Sequence, residues 1–565
     1  MSKIPFKIQI FITLCYTNYM VKNKISVRIN AYGSRSVVFV RKGRALRDIL
    51  LDEGINYDFP CGGKGGCGKC RALFLSGAPA PTEADARLLT EKMLSDGVRL
   101  LCRAVIDEDC EVLITDEPKT ARMAVENLSA SSVGLSKNGR DIRYGISVDL
   151  GTTTIAAALI RSNGEYSEVC RTASCVNSQK VYGDDVISRI DAGADLLSLS
   201  TMAADTRADI DNLVQEMTDA EGIDRNLVRV IVVAGNTTML HILTGKNVQS
   251  LGLYPYTPVS LDMEEKDAKV YFPSLDGARL ILLPGISAFV GADILSGLYY
   301  LYESGNIVVN GIRHKRRDRV PGKALVADLG TNGELCFCDG QKIHVTSTAA
   351  GPVFEGAQIS CGVPSVEGAI CHVTLSGADP SDAELPGRVE LETIGDEMPI
   401  GLCGTGVMEL VSELVRSGIV DETGLLSDEY FSDGFPVLCD GSIRFLQSDI
   451  RNVQLAKAAI FSGITTLTGD ADISRVFLAG GFGSHINIKK VKNLRIFPGQ
   501  LNDKIVAAGN LSLKGAAEYV KNVLRGSEGE MIAKETITCL KNAAESVELS
   551  LVYGFDEAYI DAMNF

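Results

Sequence analysis

The 565-residue sequence predicts a multidomain α/β protein in which a small β-rich domain precedes two duplicated lobes, and three observations predict it. Four cysteines, Cys61, Cys67, Cys70 and Cys102, lie in CGGKGGCGKC and in a distant LLCRAV. Two related segments, ISVDLGTTTIAAALI and LVADLGTNGELCFCDG, stand 179 residues apart when Asp149 is set on Asp328. A third glycine-rich turn ends the apolar run VFLAGGFGSH at 476–485.

Residues 1–23 read as a leader. IQIFITLCYTNYM is too short for a membrane span and has no small-residue cleavage site, so Met20 is a candidate start. From residue 24 to 116 the pattern is that of one small domain. ISVRINAYGSRSVVFVRKG alternates as two strands around a turn, RALRDILLDEGI has helical period, and RALFLSG and DCEVLIT read as further strands.

The cysteine spacing, Cys61-x5-Cys67-x2-Cys70 and then 31 residues to Cys102, is close to the plant-type [2Fe–2S] pattern, with the first gap one residue longer. Two irons need four thiolates from one tight loop and one separate strand. Glycines at 62, 63, 65, 66 and 68 let that loop turn its amides toward the sulfurs. A zinc site prefers paired short spacings, and a reducing cytosol rarely keeps a disulfide pair. The same loop contains Gly63-x4-Gly68-Lys69, a phosphate-loop match with Cys70 in place of Ser or Thr. It is rejected because a strand, not a helix, is predicted to follow. Strand, strand, helix, cysteine loop, strand resembles the β-grasp fold of plant-type ferredoxins.

Residues 117–142 are polar and Ser-rich, so they read as a linker. The first lobe is assigned to 143–322 and the second to 323–565, each opening on an apolar strand, a Gly-Thr hairpin turn and a second strand. Glycines 151, 330 and 333 let backbone N–H groups close on phosphate oxygens. Thr152, Thr153, Thr154, Thr331 and Asn332 add donors, and Asp149 and Asp328 are placed to hold hydrated Mg2+. Gly480, Gly481 and Gly483 leave room for an adenosine on the backbone. Glu334, two residues past the second turn, is either the base for the attacking water or a solvated carboxylate. VIVVAGNTTMLHIL and IGLCGTGVMELVSEL are also strand–turn–helix segments, read as packing helices on sheets. Together the three turns resemble the ATP-binding superfamily of acetate kinase, sugar kinases, Hsp70 and actin, which implies two ribonuclease H-like lobes.

The ferredoxin fused to that ATPase fold resembles the reductive activators of corrinoid proteins. The carriers are CGGKGGCGKC, ISVDLGTTT, AGNTTMLH, PGISAFVGADI, ADLGTNGEL, AAGPVFEG, CGTGVMEL and FLAGGFG. The resemblance implies a [2Fe–2S] cluster, ATP and Mg2+ as cofactors, and one-electron reduction of Co(II) to Co(I) in a corrinoid-binding protein that serves a methyltransferase system. It also implies an upstream electron donor. About 27 residues separate the ferredoxin from the first lobe's strand, leaving no room there for the additional middle domain of longer members. Only Cys539 lies beyond residue 500, so the cysteine-rich tail of some members is missing. Rival readings are a ferredoxin-regulated small-molecule kinase, an acyl-CoA dehydratase activator, which carries no ferredoxin domain, and a non-catalytic redox or nucleotide sensor.

The composition sets limits. A net charge of −15, from 56 basic and 71 acidic residues, argues against nucleic acid, and ordinary hydrophobicity argues against a membrane protein. The 15 cysteines show no disulfide framework, which points to a reducing cytoplasm. The basic run RHKRRDR at 313–319 reads as a solvated loop between lobes, with docking of an acidic partner as the alternative. A two-fold homodimer is the prior for any assembly.

Overall fold

The computed structural model describes residues 24–31, 34–53, 55, 57, 59, 63, 65, 68–114, 142–183, 185–310, 322–330, 332–376, 388–480 and 487–565. The leader, residues 117–141 of the linker, the basic run at 313–319, and Cys61, Cys67, Thr331, Gly481 and Gly483 lie outside the described residues. The chain divides into two compact units, Met1–Lys119 with Lys180–Asp184 and Thr120–Gln179 with Asp185–Phe565.

In the first unit, β1 (Lys24–Ala31) and β2 (Ser34–Arg41) form the antiparallel hairpin that the alternation predicts. Helix α1 (Leu46–Asp52) follows, then β3 (Arg71–Ser76), β4 (Val98–Leu100) and β5 (Cys110–Ile114). The sheet order is β2-β1-β5-β3-β4, with β1 and β5 parallel. Period-2 patterning fixes which face is inward: Val27 and Ile29 are buried with Val112 against Leu46, Ile49 and Leu50 of α1, while Lys24 and Arg28 stay outside. RALFLS is the strand β3, so the phosphate-loop match is followed by no helix, as its rejection required.

In the second unit, β6 (Arg143–Leu150), β7 (Thr154–Ser162) and β8 (Ser167–Val176) make an antiparallel meander. Helix α2 (Leu196–Glu221) leads into β9 (Val228–Gly235), which runs parallel to β6. After α3 (Thr237–Thr244) come β10 (Glu264–Asp267), β11 (Arg279–Leu282) and α4 (Ala292–Glu303). The sheet order is β8-β7-β6-β9-β11-β10.

The same plan then repeats. Strands β12 (Lys323–Leu329), β13 (Gly333–Cys338) and β14 (Ile343–Thr348) form a second meander. A small sheet of β15 (Ala369–Ser376), β16 (Arg388–Thr393) and β17 (Gly401–Leu402) is inserted next, followed by α5 (Gly404–Arg416) and α6 (Gln447–Thr468). Then β18 (Ile473–Ala479) pairs parallel with β12, and β19 (Ile505–Gly509) parallel with β18. Helices α7 (Leu511–Leu524) and α8 (Ser527–Ala543) and the edge strand β20 (Ala544–Ser546) close the chain's second large sheet, of order β19-β18-β12-β13-β14-β20. Meander, parallel fourth strand and parallel fifth strand thus recur in one order, which is the predicted duplication of ribonuclease H-like lobes.

Helix α7 is not confined to the half of the chain that supplies it. It packs on β6, β7 and β9 of the first sheet and along α4. Two glycines make that approach close. A Cβ on Gly145 would lie 2.5 Å from Val520 Cγ1, and one on Gly515 would collide with the Ser296 carbonyl. Ser296 Oγ donates to the Ser512 carbonyl at 2.7 Å, tying the start of α7 to α4.

Candidate functional site

The cysteine loop is built around left-handed turns. Gly63, Gly65 and Gly68 have φ of +80°, +70° and +68°, values that residues with a Cβ rarely adopt. Arginines pin the loop's carbonyls: Arg71 Nε donates to Gly68 O at 2.7 Å and Arg87 Nη2 to Gly65 O at 3.0 Å. Leu101 N donates to Cys70 O at 2.7 Å, so the chain leading into Cys102 runs beside Cys70. Cys70 is buried and Cys102 half-buried. The loop that carries Cys70 and the separate segment that leads into Cys102 are therefore neighbours in the backbone, as a cluster that takes ligands from both requires.

In the second unit the first Gly-Thr turn joins β6 to β7. Gly151 N donates to Thr154 O at 3.0 Å, and Asn177 braces the turn by donating from its amide side chain to Gly151 O and from its backbone to Thr153 O, each at 2.9 Å. Buried Thr152 accepts from Asn236 Nδ2 at 2.9 Å. Asn236 is also the N-cap of α3, accepting from Met239 N, so the AGNTT turn both packs a helix on the sheet and reaches the first Gly-Thr turn. The second turn closes one residue sooner, Gly330 N donating to Asn332 O at 3.0 Å. Gly333 is placed under α6, where a Cβ would collide with Ile460, so helix packing accounts for that glycine. Gly480, with φ of +90°, comes against the second turn: its Cβ would sit 2.6 Å from both Asp328 Oδ1 and Leu329 O.

Carboxylates floor the cleft. Asp149 ends β6 and accepts from Asn510 Nδ2 at 2.7 Å and Ser512 Oγ at 2.6 Å. Asn510 in turn caps α7 through Leu513 N. Asp328 ends β12 and lies opposite Glu334 in the hairpin register. Asp293, in the first turn of α4, is the fourth member. Burial pushes Asp293 up to about 7, with the Asp149 charge adding to it. Burial pushes Asp328 up to about 8, with Asp293, Asp149 and Glu355 adding. Burial likewise raises Asp149, against the pull of its Ser512 and Asn510 hydrogen bonds. Glu334 is held well above the carboxylate range by burial and by Asp293 and Asp328, and Ser347 Oγ donates to it at 3.4 Å.

The arrangement predicts a pH dependence. A carboxyl whose pKa is raised on folding adds stability below its ordinary pKa, and that stability is lost as pH climbs to the raised value. In the nucleotide-free protein the melting temperature should therefore decline as pH rises through 7 and 8, the values for Asp293 and Asp328. A thermal melt series across that interval checks this; a flat profile would contradict the clustering.

Four residues at this site escaped sequence reasoning. Asp293 had a signal, an acidic residue in the first turn after PGISAFVG, and Asn510 had one as a cap ahead of an apolar helix. Glu355 and Ser512 had none. Glu355 accepts from Thr153 Oγ1 at 2.9 Å across 202 positions of sequence.

Three family descriptions tile the chain. Residues 29–107 match the 2Fe-2S iron-sulfur cluster binding domain, 144–302 the RACo middle region, and 322–565 the C-terminal domain of RACo, the ASKHA domain. A relative from Eubacterium limosum, the corrinoid activation enzyme RamQ, is 28% identical over 67% of this chain and 64% of its own. The [Co(II) methylated amine-specific corrinoid protein] reductase of Methanosarcina barkeri is 26% identical over 69% of this chain and 72% of its own. The chain thus spans about two thirds of the length of these curated relatives. The solved structure of a reductive activator for corrinoid, iron-sulfur protein superposes with a TM-score of 0.62 at 24% identity, covering 96% of this chain and 98% of that one, a likeness of fold.

Proposed function

We propose that this chain, which belongs to the RACo family, is an ATP-dependent activator that reduces the Co(II) of a corrinoid-binding protein to Co(I), one electron at a time, on behalf of a methyltransferase system. One observation carries the reading. A single chain combines a cysteine loop of plant-type spacing with a cluster of buried carboxyls beside two Gly-Thr hairpins. The names of the curated relatives supply the class of electron acceptor.

When bound, a [2Fe–2S] cluster of plant type supplies single electrons at roughly −400 mV. Cys61, Cys67, Cys70 and Cys102 are its ligands in this reading, and the left-handed glycines with Arg71 and Arg87 hold the loop open for it. Co(I) corrinoids lie lower, and each ~59 mV of mismatch costs a factor of ten in a one-electron equilibrium. Nucleotide offsets that only by binding one conformational state better than another.

In the cleft, the amides of both turns and the hydroxyls of Thr152, Thr153, Thr154 and Thr331 take the phosphates, and Gly480, Gly481 and Gly483 take the adenosine. The all-oxygen donor set suits a hard cation such as Mg2+. Asp149, held by Asn510 and Ser512, and Asp328 beside the other turn would hold the cation. A base works best when its pKa is near the working pH, which favours Asp293 over the strongly raised Glu334 for accepting the proton of the attacking water. A separate redox protein loads the chain with electrons, and the cytoplasm is its compartment. No described helix is long and apolar enough to cross a membrane.

Anaerobic ATP hydrolysis, measured with a Co(II) corrinoid protein and separately with small phosphate acceptors, tests this against its rivals. Stimulation by the corrinoid protein alone supports the activator. Phosphorylation of a metabolite with indifference to corrinoid would make the chain a kinase, and negligible turnover with every partner would make it a sensor.

A further inference from the structure

The two Gly-Thr turns are linked by an acidic residue that a phosphate site does not obviously want. Glu355 Oε2 accepts from Thr153 Oγ1 on the first turn at 2.9 Å. Its other oxygen faces the second turn, where Oε1 lies 3.7 Å from the position a Cβ would take on Gly330. One carboxylate thus spans the gap between the two hairpins.

Its backbone leaves it little freedom. Glu355 is the last residue of the short turn Pro352–Glu355, entered through Gly351 at φ +72° and left through Gly356 at φ +81°. Gly404, the first residue of α5, is pressed against the Phe354 carbonyl so closely that any Cβ there would collide with it. A Cβ on Gly356 would lie 2.5 Å from Val363 O. The carboxylate is therefore presented to the turns by a segment clamped on both sides.

We propose that Glu355 is a gate on the phosphate site: it occupies the Thr153 hydroxyl when the site is empty and yields it to a phosphate when nucleotide binds. The proposal rests on the reading of the two turns as phosphate-binding. Two anions cannot share one hydroxyl donor, so nucleotide entry must exchange the Thr153–Glu355 bond for a Thr153–phosphate bond. That bond links a turn of the first lobe to a segment of the second, so the exchange releases one tie between the lobes. The tie is thereby made sensitive to nucleotide, which is the differential affinity that coupling demands. Glu355 adds to the negative charge acting on Asp328, so a phosphate enters beside like charge unless a cation accompanies it.

Glu355→Gln separates charge from shape, because its amide oxygen still accepts from Thr153. ATP and MgATP binding to the full-length variant and wild type are measured by calorimetry, with a thermal melt to verify folding. The gate predicts that the variant binds ATP about ten-fold more tightly, since one like charge is removed from a half-buried site. A purely structural tie would leave the affinity unchanged. Equal affinities in a folded variant overturn the proposal. Weaker MgATP binding overturns it too, by making Glu355 part of the cation site. Should Glu355→Gln not fold, Glu355→Ala is measured in its place, with tighter ATP binding expected and equal or weaker binding overturning the gate. Failure of wild type to bind ATP at all would instead sink the nucleotide reading, leaving the two failures distinct.

Discussion

Asp328→Asn is expected to lower ATP hydrolysis about a thousand-fold, the scale set by removing one well-placed electrostatic group from a water-excluded site, while leaving the visible spectrum of the cluster unchanged. The substitution preserves shape, so Gly480 keeps its contact with the residue-328 side chain. It removes the carboxyl group that lies opposite Glu334 and that contributes to the raised pKa of Glu334. Asp149→Ala should also abolish turnover, but it strands the donors of Asn510 and Ser512 in a buried position and so costs about 1–3 kcal/mol of stability as well. The comparison of the two variants separates chemistry from folding. Each is read by phosphate release and by the cluster's absorbance; a bleached spectrum in Asp328→Asn would contradict the independence of the two compact units.

Cys102→Ala should do the reverse: lose the cluster absorbance and all electron delivery while ATP affinity stays at the wild-type value. In the proposed ligand set Cys102 is the remote member, next to Leu101 whose N–H donates to Cys70 O, and three thiolates from the 61–70 loop cannot complete a four-thiolate site. Cys102 packs half-buried at the edge of that unit's core, whose centre is built from β1, β3, β5 and α1, so the five-stranded sheet is expected to persist in the variant. Iron content and nucleotide titration on the same preparation check both halves. Retained iron and electron transfer would mean that another cysteine supplies the fourth ligand. Cys110, buried on β5 with its thiol pushed up to about 11 chiefly by burial, is poorly suited to that role.

The parts of this molecule legible from sequence are those written in short-range pattern. Alternation placed β1, β2 and β3, the repeat of Asp-Leu-Gly-Thr placed both hairpins, and the order of strand and turn placed β9 with α3 and β18 with Gly480. What sequence could not show depends on residues far apart meeting in space. Ser512 reaches Asp149 over 363 positions because α7 crosses to the first sheet, and nothing in LSLKGAAEYVKNVL says which sheet its apolar face covers. Glu355 sits in a glycine-flanked turn that looks like any loop until Thr153 is found beside it. Gly333 reads as a phosphate-turn glycine, and only the fold shows that a Cβ there would also meet Ile460 of α6 and Thr348 of β14. Strand alternation singled out Glu334, but burial among like charges could be seen only once Asp293 and Asp328 stood next to it.

The central claim is that nucleotide drives electron transfer to cobalt, and its most direct test is anaerobic. Dithionite-reduced protein is mixed with a Co(II) corrinoid protein, and the Co(II) and Co(I) absorbances are followed with and without MgATP. The account predicts Co(I), or its methylated product when a methyl donor is present, to a substantial extent only with MgATP. Equal extents of reduction with and without nucleotide would contradict it.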